Sequence, residues 1–272
     1  MTGECRRSKG DNGLAVAVEA QPPSFRKPLT SDELAAVRRS RRTPRVTQFD
    51  YLHVRSLVDD LRKALASVPP PVRDVLDVWC GSRPYDDLFP SGARCVGLDV
   101  DPNPYGVADV VSNVVLPFPN QSFDLVTCIE AFQWIPEPSM AVDEFRRVLR
   151  PGGTVLVTLP FGYGYDRRTP ESRYTEHELR ALFSRGWNDV DVVENGGRTV
   201  TWTVLSASLI AGVEHRIVSR RPLVPLRLLF QAAYAWLNGV GLGLSRMESR
   251  LAAHRVVFPM NLMLTARRPP GD

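Results

Sequence analysis

Lysine is almost missing from this chain. Lys9, Lys27 and Lys63 are the only three among 34 basic residues, and the formal net charge is just +4 over 272 residues. So small an excess, carried almost wholly by arginine, points to genome composition rather than to a polyanionic partner. Nucleic acid is therefore not an expected partner. Cysteine is equally sparse: Cys5, Cys80, Cys95 and Cys128 lie far apart, with no CxxC pair. That spacing excludes a zinc knuckle and a disulfide scaffold, and it reads as reduced, buried thiols with no metal site. Long hydrophobic runs are lacking too. No stretch of about 18 uninterrupted apolar residues occurs, and the opening MTGECRRSKGDNG has no apolar h-region. Neither a membrane span nor a secretory signal is expected, and the chain reads as cytoplasmic. Glycine is short where it matters most. VLDVWCGSRPY, Val75 to Tyr85, holds only Gly81, with Trp79 and Arg83 where a cofactor-cradling loop usually carries further glycines.

What is present begins with a 43% apolar content, enough for a real core. Residues 1–28 are polar and broken by Gly and Pro, and read as a disordered leader. Thr30 and Glu33 then form a capping box that opens a short helix. The cluster Arg38, Arg39, Arg41, Arg42 and Arg45 that follows has no interleaved aromatic to stack on bases, and reads as a solvated face. Leu52, Val54, Leu57, Val58, Leu61 and Leu65 fall at helical spacing until Pro69-Pro70-Pro71 stops the helix. Beyond it, VLDVW, RCVGLDV, VADVV, FDLVTCI and GTVLVTLP alternate with loops and with a helix around Met140 to Leu149. That alternation predicts a parallel sheet with helices on both faces. DVDVVEN and RVVFPMNLMLTARR supply a terminal antiparallel pair, and the long segment between them predicts an inserted helical element. The resulting division is N-terminal helices over 29–71, a core over 72–195, an insert over 196–254, a last strand over 255–268 and a tail over 269–272.

In such a sheet, ligands bind beyond the carboxyl ends of the strands, so the residues ending each strand carry the chemistry. The first strand ends in Asp77 and the turn Cys80-Gly81-Ser82, whose N–H groups can face a carboxylate. The second ends in Asp99 and Val100, where an acidic side chain can accept both hydroxyls of a ribose. Ser112-Asn113-Val114 follows the third, with an amide carbonyl for an amino group and an N–H for a ring nitrogen. The fourth leads into Glu130, Gln133 and Trp134 at the pocket mouth.

VLDVWCGS, VGLDVDP, LPFPNQSFDLV, WIPEP and FRRVLRPGG, in this order, resemble the class I S-adenosylmethionine-dependent methyltransferases over Asp74 to Leu159. CGSRPYDDLF adds a weaker likeness to a bacterial subgroup with a CGxRPY-like loop. The resemblance implies a Rossmann-like α/β fold with a seven-stranded, mostly parallel sheet. It also implies S-adenosyl-L-methionine as cofactor. Carried over residue by residue, Asp77, Gly81 and Ser82 hold the methionyl end, Asp99 with Val100 the ribose, Asn113 with Val114 the adenine, and Glu130 lies beside them. Asn113 stands where that family commonly has aspartate.

Methyl transfer needs an in-line approach, so positioning supplies much of the rate and a base is needed only where the acceptor must lose a proton. Tyr163, Tyr165, Asp166 and His177 follow the fifth strand; Tyr163 joins Gln133 and Trp134 on the acceptor side, and Tyr165 and His177 are the candidate bases. In the insert, Trp202, Leu205, Leu209 and Val213 share a helix face, and Leu223 to Leu244 is apolar nearly all round. Three readings stay open for it: a cap over an apolar acceptor, a homodimer contact through 222–244, or a helix at a membrane surface, the acceptor of the implied transferase being a small molecule, a glycan or lipid-like. Two rivals to an active transferase also stay open. One is a catalytically impaired binding or scaffold protein, motivated by Trp79 and Arg83; the other is a nucleotide-dependent oxidoreductase, disfavoured by the missing G-x-G-x-x-G.

Overall fold

The computed structural model describes residues 29–100, 103, 105–164, 169–218, 224–251 and 257–271. The leader read over 1–28 lies outside them. Seven strands form one sheet: β1 (Asp74–Val78), β2 (Arg94–Asp99), β3 (Val110–Val111), β4 (Phe123–Ile129), β5 (Leu149–Pro160), β6 (Asn188–Asn195) and β7 (Asn261–Arg267). Their order is β3-β2-β1-β4-β5-β7-β6, with β7 antiparallel to both neighbours and the β3-to-β5 block parallel. The strand order turns back at β1, with β2 on one side and β4 on the other. The crevice for a ligand therefore opens where these three strands end.

Six α-helices lie among the described residues: α1 (Ser31–Arg42), α2 (Tyr51–Ala66), α3 (Pro138–Val148), α4 (Glu176–Leu182), α5 (Gly197–Val218) and α6 (Val224–Leu251). Strand alternation divides the core between the two faces. Val75, Leu125, Leu156 and Met263 meet Val54, Leu57, Val58 and Leu61 of α2 on one side. Leu76, Val126, Val155 and Leu264 meet Val142 and Phe145 of α3 and Leu179 and Phe183 on the other. The helices thus cover both faces, as the strand spacing predicts.

The capping box at Thr30 forms as expected, with Glu33 returning a bond to the Thr30 N–H. The arginine cluster behaves differently from a solvated face. Arg38 Nε donates to the Ser82 carbonyl at 2.7 Å, Arg41 pairs with Asp50 at 3.3 Å, and Arg42 pairs with Asp87. A run of charges looks the same in sequence whether its arginines are solvated or satisfy a carbonyl on a remote loop. Here three of them stitch α1 onto the β1 loop and onto the start of α2.

Candidate active site

Asp77 ends β1 on the α2 side of the sheet, 4% exposed, and its Oδ1 accepts a 2.7 Å bond from the Thr127 hydroxyl of β4. Burial pushes its carboxyl up to about 7, helped by Asp86 and Asp99 and opposed by the Thr127 bond and by Arg83. Next comes the loop in which glycines are scarce. Trp79, Gly81 and Arg83 all adopt left-handed backbone, with φ of 58°, 54° and 55°. Two of these are positions where an L side chain is strained by roughly 1–2 kcal/mol. The chain therefore keeps a backbone path suited to glycine with side chains at two of its three left-handed positions.

Both side chains find packing that holds this path. The indole of Trp79 packs against the α3-side core, with its Nε1 buried and without a hydrogen-bond partner. Arg83 reaches under the loop: Nε bonds Asp86 at 2.9 Å, NH2 the Cys95 carbonyl at 3.2 Å, and NH1 Asp109 at 2.5 Å. Gly97 makes room for that crossing, since a Cβ there would lie 3.2 Å from the Arg83 guanidinium carbon and 3.0 Å from Cys80 Sγ. The close packing comes from a glycine on the neighbouring strand. Cys80 is buried, and burial holds its thiol far above the ordinary range, so it is a packing group.

Asp99 ends β2 at 6% exposure. The Gly81 N–H, expected to face a ligand, donates to Asp99 Oδ2 at 2.9 Å, because the loop folds onto the end of β2 and satisfies its own donor there. Val100 N–H donates to Oδ1 at 2.8 Å, and Asn103 Nδ2 joins Asp99 Oδ2 to the Gly81 carbonyl. Four lone pairs receive three donors, leaving one on Oδ1 for a hydroxyl. Ser82 is buried, with its carbonyl held by Arg38. Asn113 is exposed in the turn after β3, and Val114 packs half-buried on the core.

The end of β4 carries a second constellation. Glu130 has φ of 56°, and its N–H donates to the Thr158 carbonyl at 3.0 Å. Its Oε1 accepts from Thr158 Oγ1 at 3.0 Å and from Asn261 Nδ2 at 2.6 Å, while Oε2 lies 3.7 Å from His53 Nε2 on α2. Burial raises its carboxyl to about 7, against the Thr158, Arg41, Asn261 and Arg173 contributions that favour the anion. The same burial lowers His53 to about 4, so the imidazole is neutral at pH 7. Tyr163 stacks at 5.5 Å from the His53 ring. Gln133 is buried, donating to the Glu130 carbonyl at 3.0 Å, and Trp134 is 45% exposed, with Nε1 on Glu171 at 3.0 Å.

The strand ends thus gather Asp77, Gly81, Ser82, Asp99 and Val100 on one side and Glu130, Gln133 and Tyr163 on the other. Tyr165 lies outside the described residues. His177 is exposed in the first turn of α4, which packs on α3 and β6. Sequence reasoning missed His53, Asn103, Thr158 and Asn261. Only His53 left a signal, as a lone polar residue one turn before Leu57 on the apolar face of α2.

A family model described as a methyltransferase domain matches residues 76–157, which run from β1 to β5. Over those residues the chain is similar to a methyltransferase domain. Among curated proteins, the ubiquinone biosynthesis O-methyltransferase of Sodalis glossinidius is 32% identical over 99 residues, 31% of this chain and 40% of that protein. The 2-methyl-6-phytyl-1,4-hydroquinone methyltransferase of Synechocystis is 27% identical over 163 residues, 50% of this chain and 51% of that protein. The chain therefore spans only about half the length, or less, of the curated relatives it matches. The crystal structure of the cyclase SpnF shares the fold, with a TM-score of 0.51, 23% identity, and coverage of 78% of this chain and 81% of that one.

The residues at these strand ends fit S-adenosyl-L-methionine, the cofactor that the similarity implies. Two buried carboxyl groups, Asp77 and Asp99, lie at adjacent strand ends, and a ligand carrying an ammonium and a sulfonium complements that sign. The Asp77 carboxyl, held near 7 by burial, gains most from a cation placed beside it.

Proposed function

We propose that this chain transfers the methyl group of S-adenosyl-L-methionine to an oxygen of a small-molecule or lipid-like acceptor. The observation that carries the reading is the pair of buried carboxyl groups, Asp77 and Asp99, at the carboxyl edge of a methyltransferase domain whose β1 loop keeps its left-handed backbone. When bound, the cofactor supplies an electrophilic methyl group. Asp77 binds the amino-acid ammonium, and Asp99, with its remaining lone pair, holds a ribose hydroxyl. Asn113 and Val114 take the adenine edge.

Glu130 is assigned to the acceptor rather than to the cofactor. Its carboxylate, near 7 and backed by neutral His53, suits a base that takes a hydroxyl proton at neutral pH. Thr158 and Asn261 fix Oε1, leaving Oε2 for the proton. Gln133 and Tyr163 line the same side. The two quinone-related relatives act on oxygen in one case and on a hydroquinone in the other, by their names, which supports a lipid-like acceptor class.

Thermal unfolding with and without the cofactor or its demethylated product tests the binding step. A ligand at about 100 times its dissociation constant stabilises the folded state by about 2.7 kcal/mol. No shift in a folded sample refutes the enzyme reading and favours the impaired scaffold, for which the buried, unpartnered Nε1 of Trp79 beside the loop is the motivating observation. A shift with a nicotinamide cofactor alone assigns the site to hydride chemistry instead.

A further inference from the structure

The α5–α6 hairpin buries Val200, Val204 and Ala207 on its inner side and carries a second, exposed apolar face. The face of α6 turned to the protein carries Tyr234, Asn238 and Gly241. Asn238 Nδ2 donates to the carbonyls of Val46 and Gln48 at 2.8 Å each, and a Cβ on Gly241 would sit 2.6 Å from Thr203 and 2.7 Å from Leu52. The opposite face is apolar and lies in solvent: Leu229 is 67% exposed, Trp236 68%, Val240 41%, Leu244 48% and Met247 57%. Successive separations of seven, four, four and three residues place them on one stripe. In α5, Trp202, Leu209 and Val213 repeat the pattern at 72%, 75% and 53%. The face that the sequence marks as apolar is real, and it points outward. An exposed apolar stripe of this length marks an interaction surface.

The occupant follows from charge. Residues 196–254 hold seven arginines and two glutamates, a net +5, against +4 for the whole chain, so the remainder carries −1. Both glutamates are engaged within the insert. Glu248 accepts from the Thr199 N–H at 2.8 Å and from Arg198, and Glu214 accepts from the Tyr234 hydroxyl at 2.6 Å. Arg216, Arg227, Arg246 and Arg250 are exposed on the same two helices. A second copy of the chain would set one such positive surface against another, which like-charge opposition disfavours. No helix among the described residues is long and apolar enough to cross a membrane. A cationic helix with an apolar stripe and exposed tryptophan is instead the form that lies in the plane of a bilayer surface.

We propose that α5–α6 docks this protein onto an anionic lipid surface, with the outer stripe of α6 sunk at the boundary between headgroups and acyl chains.

Sedimentation of the full chain with vesicles tests it, comparing phosphatidylcholine alone with phosphatidylcholine containing phosphatidylglycerol. Binding is expected at least about tenfold tighter to the anionic vesicles, weakening as salt rises. Leu229→Glu and Trp236→Glu, both at exposed positions, are expected to lose about tenfold or more with unchanged thermal unfolding. Arg227→Glu with Arg246→Glu is expected to abolish the preference for anionic vesicles. Absence of binding to either vesicle overturns the proposal, as does equal binding to both. A dimer in solution that Leu229→Glu dissociates, without vesicle binding, gives the face to a second copy of the chain.

Discussion

Replacing Asp77 by asparagine should make the protein more stable and a worse binder of its cofactor. The carboxyl is 4% exposed and is held at about 7 by burial, against an ordinary 3.8. Well below pH 4 the group is neutral in both folded and unfolded chains and contributes nothing to the difference. From about pH 4 to 7 the unfolded chain sheds its proton while the folded one keeps it, so this group's contribution falls as pH rises and is level above about 7. Each tenfold gain in proton affinity corresponds to about 1.36 kcal/mol, and the folded chain holds this proton roughly a thousandfold more tightly, so ionised Asp77 costs the fold up to about 4 kcal/mol. Asparagine keeps the size and an acceptor oxygen for Thr127, and it cannot ionise. In urea titrations the variant is therefore expected to gain about 2–4 kcal/mol near pH 8 and little near pH 4, with the difference between the two proteins removing every other titrating group. Calorimetric titration of S-adenosylmethionine should show at least about a tenfold loss of affinity, because the ammonium loses its counter-charge. An asparagine variant equally stable relative to wild type at both pH values would refute the burial argument. Unchanged affinity would remove Asp77 from the cofactor site.

Three further substitutions probe the rest of the site. Trp79→Gly relieves left-handed strain but removes an indole from the core, so stability should fall by about 1–2 kcal/mol and cofactor affinity should stay within about threefold; a tenfold gain on titration would mean that the indole obstructs the site. Glu130→Gln should slow methyl transfer by about 100-fold or more and abolish a pH–rate inflection near 7 while cofactor binding persists; equal loss of binding would return Glu130 to the cofactor residues. Arg83→Lys cannot span Asp86, Asp109 and the Cys95 carbonyl together, and should lower stability by about 1–3 kcal/mol in urea; a neutral result would mean that the left-handed loop holds itself.

The strand sequence from VLDVW to GTVLVTLP was legible because each run is bounded by turn residues and ends in a group the sheet edge requires. The capping box at Thr30 and the paired terminal strands were legible for the same local reason. What escaped depends on contacts remote in sequence. His53 comes from a helix 77 residues before Glu130, and Asn261 from a strand 131 residues after it. Trp79 misled differently. Glycine preference at a left-handed position is a statement about local cost, and the cost can be met by packing that only the fold reveals. Helical spacing located an apolar face on α5 and showed α6 as apolar nearly all round, but periodicity carries no sign and cannot say which way a face turns.

Asn195 and Asn261, the residues at which the hairpin leaves and re-enters the sheet, face each other directly in the β6–β7 ladder. The chain thus leaves and re-enters the sheet at a single rung, while α5 and α6 also pack against α2 and the segment before it. The same rung is wired inward, with Asn195 Nδ2 on Asp60 of α2 at 2.5 Å and Asn261 Nδ2 on Glu130 at 2.6 Å. An exchange of hairpins between such proteins would keep the sheet's register, yet any tilt at this rung would be passed by one amide to the carboxylate beside it.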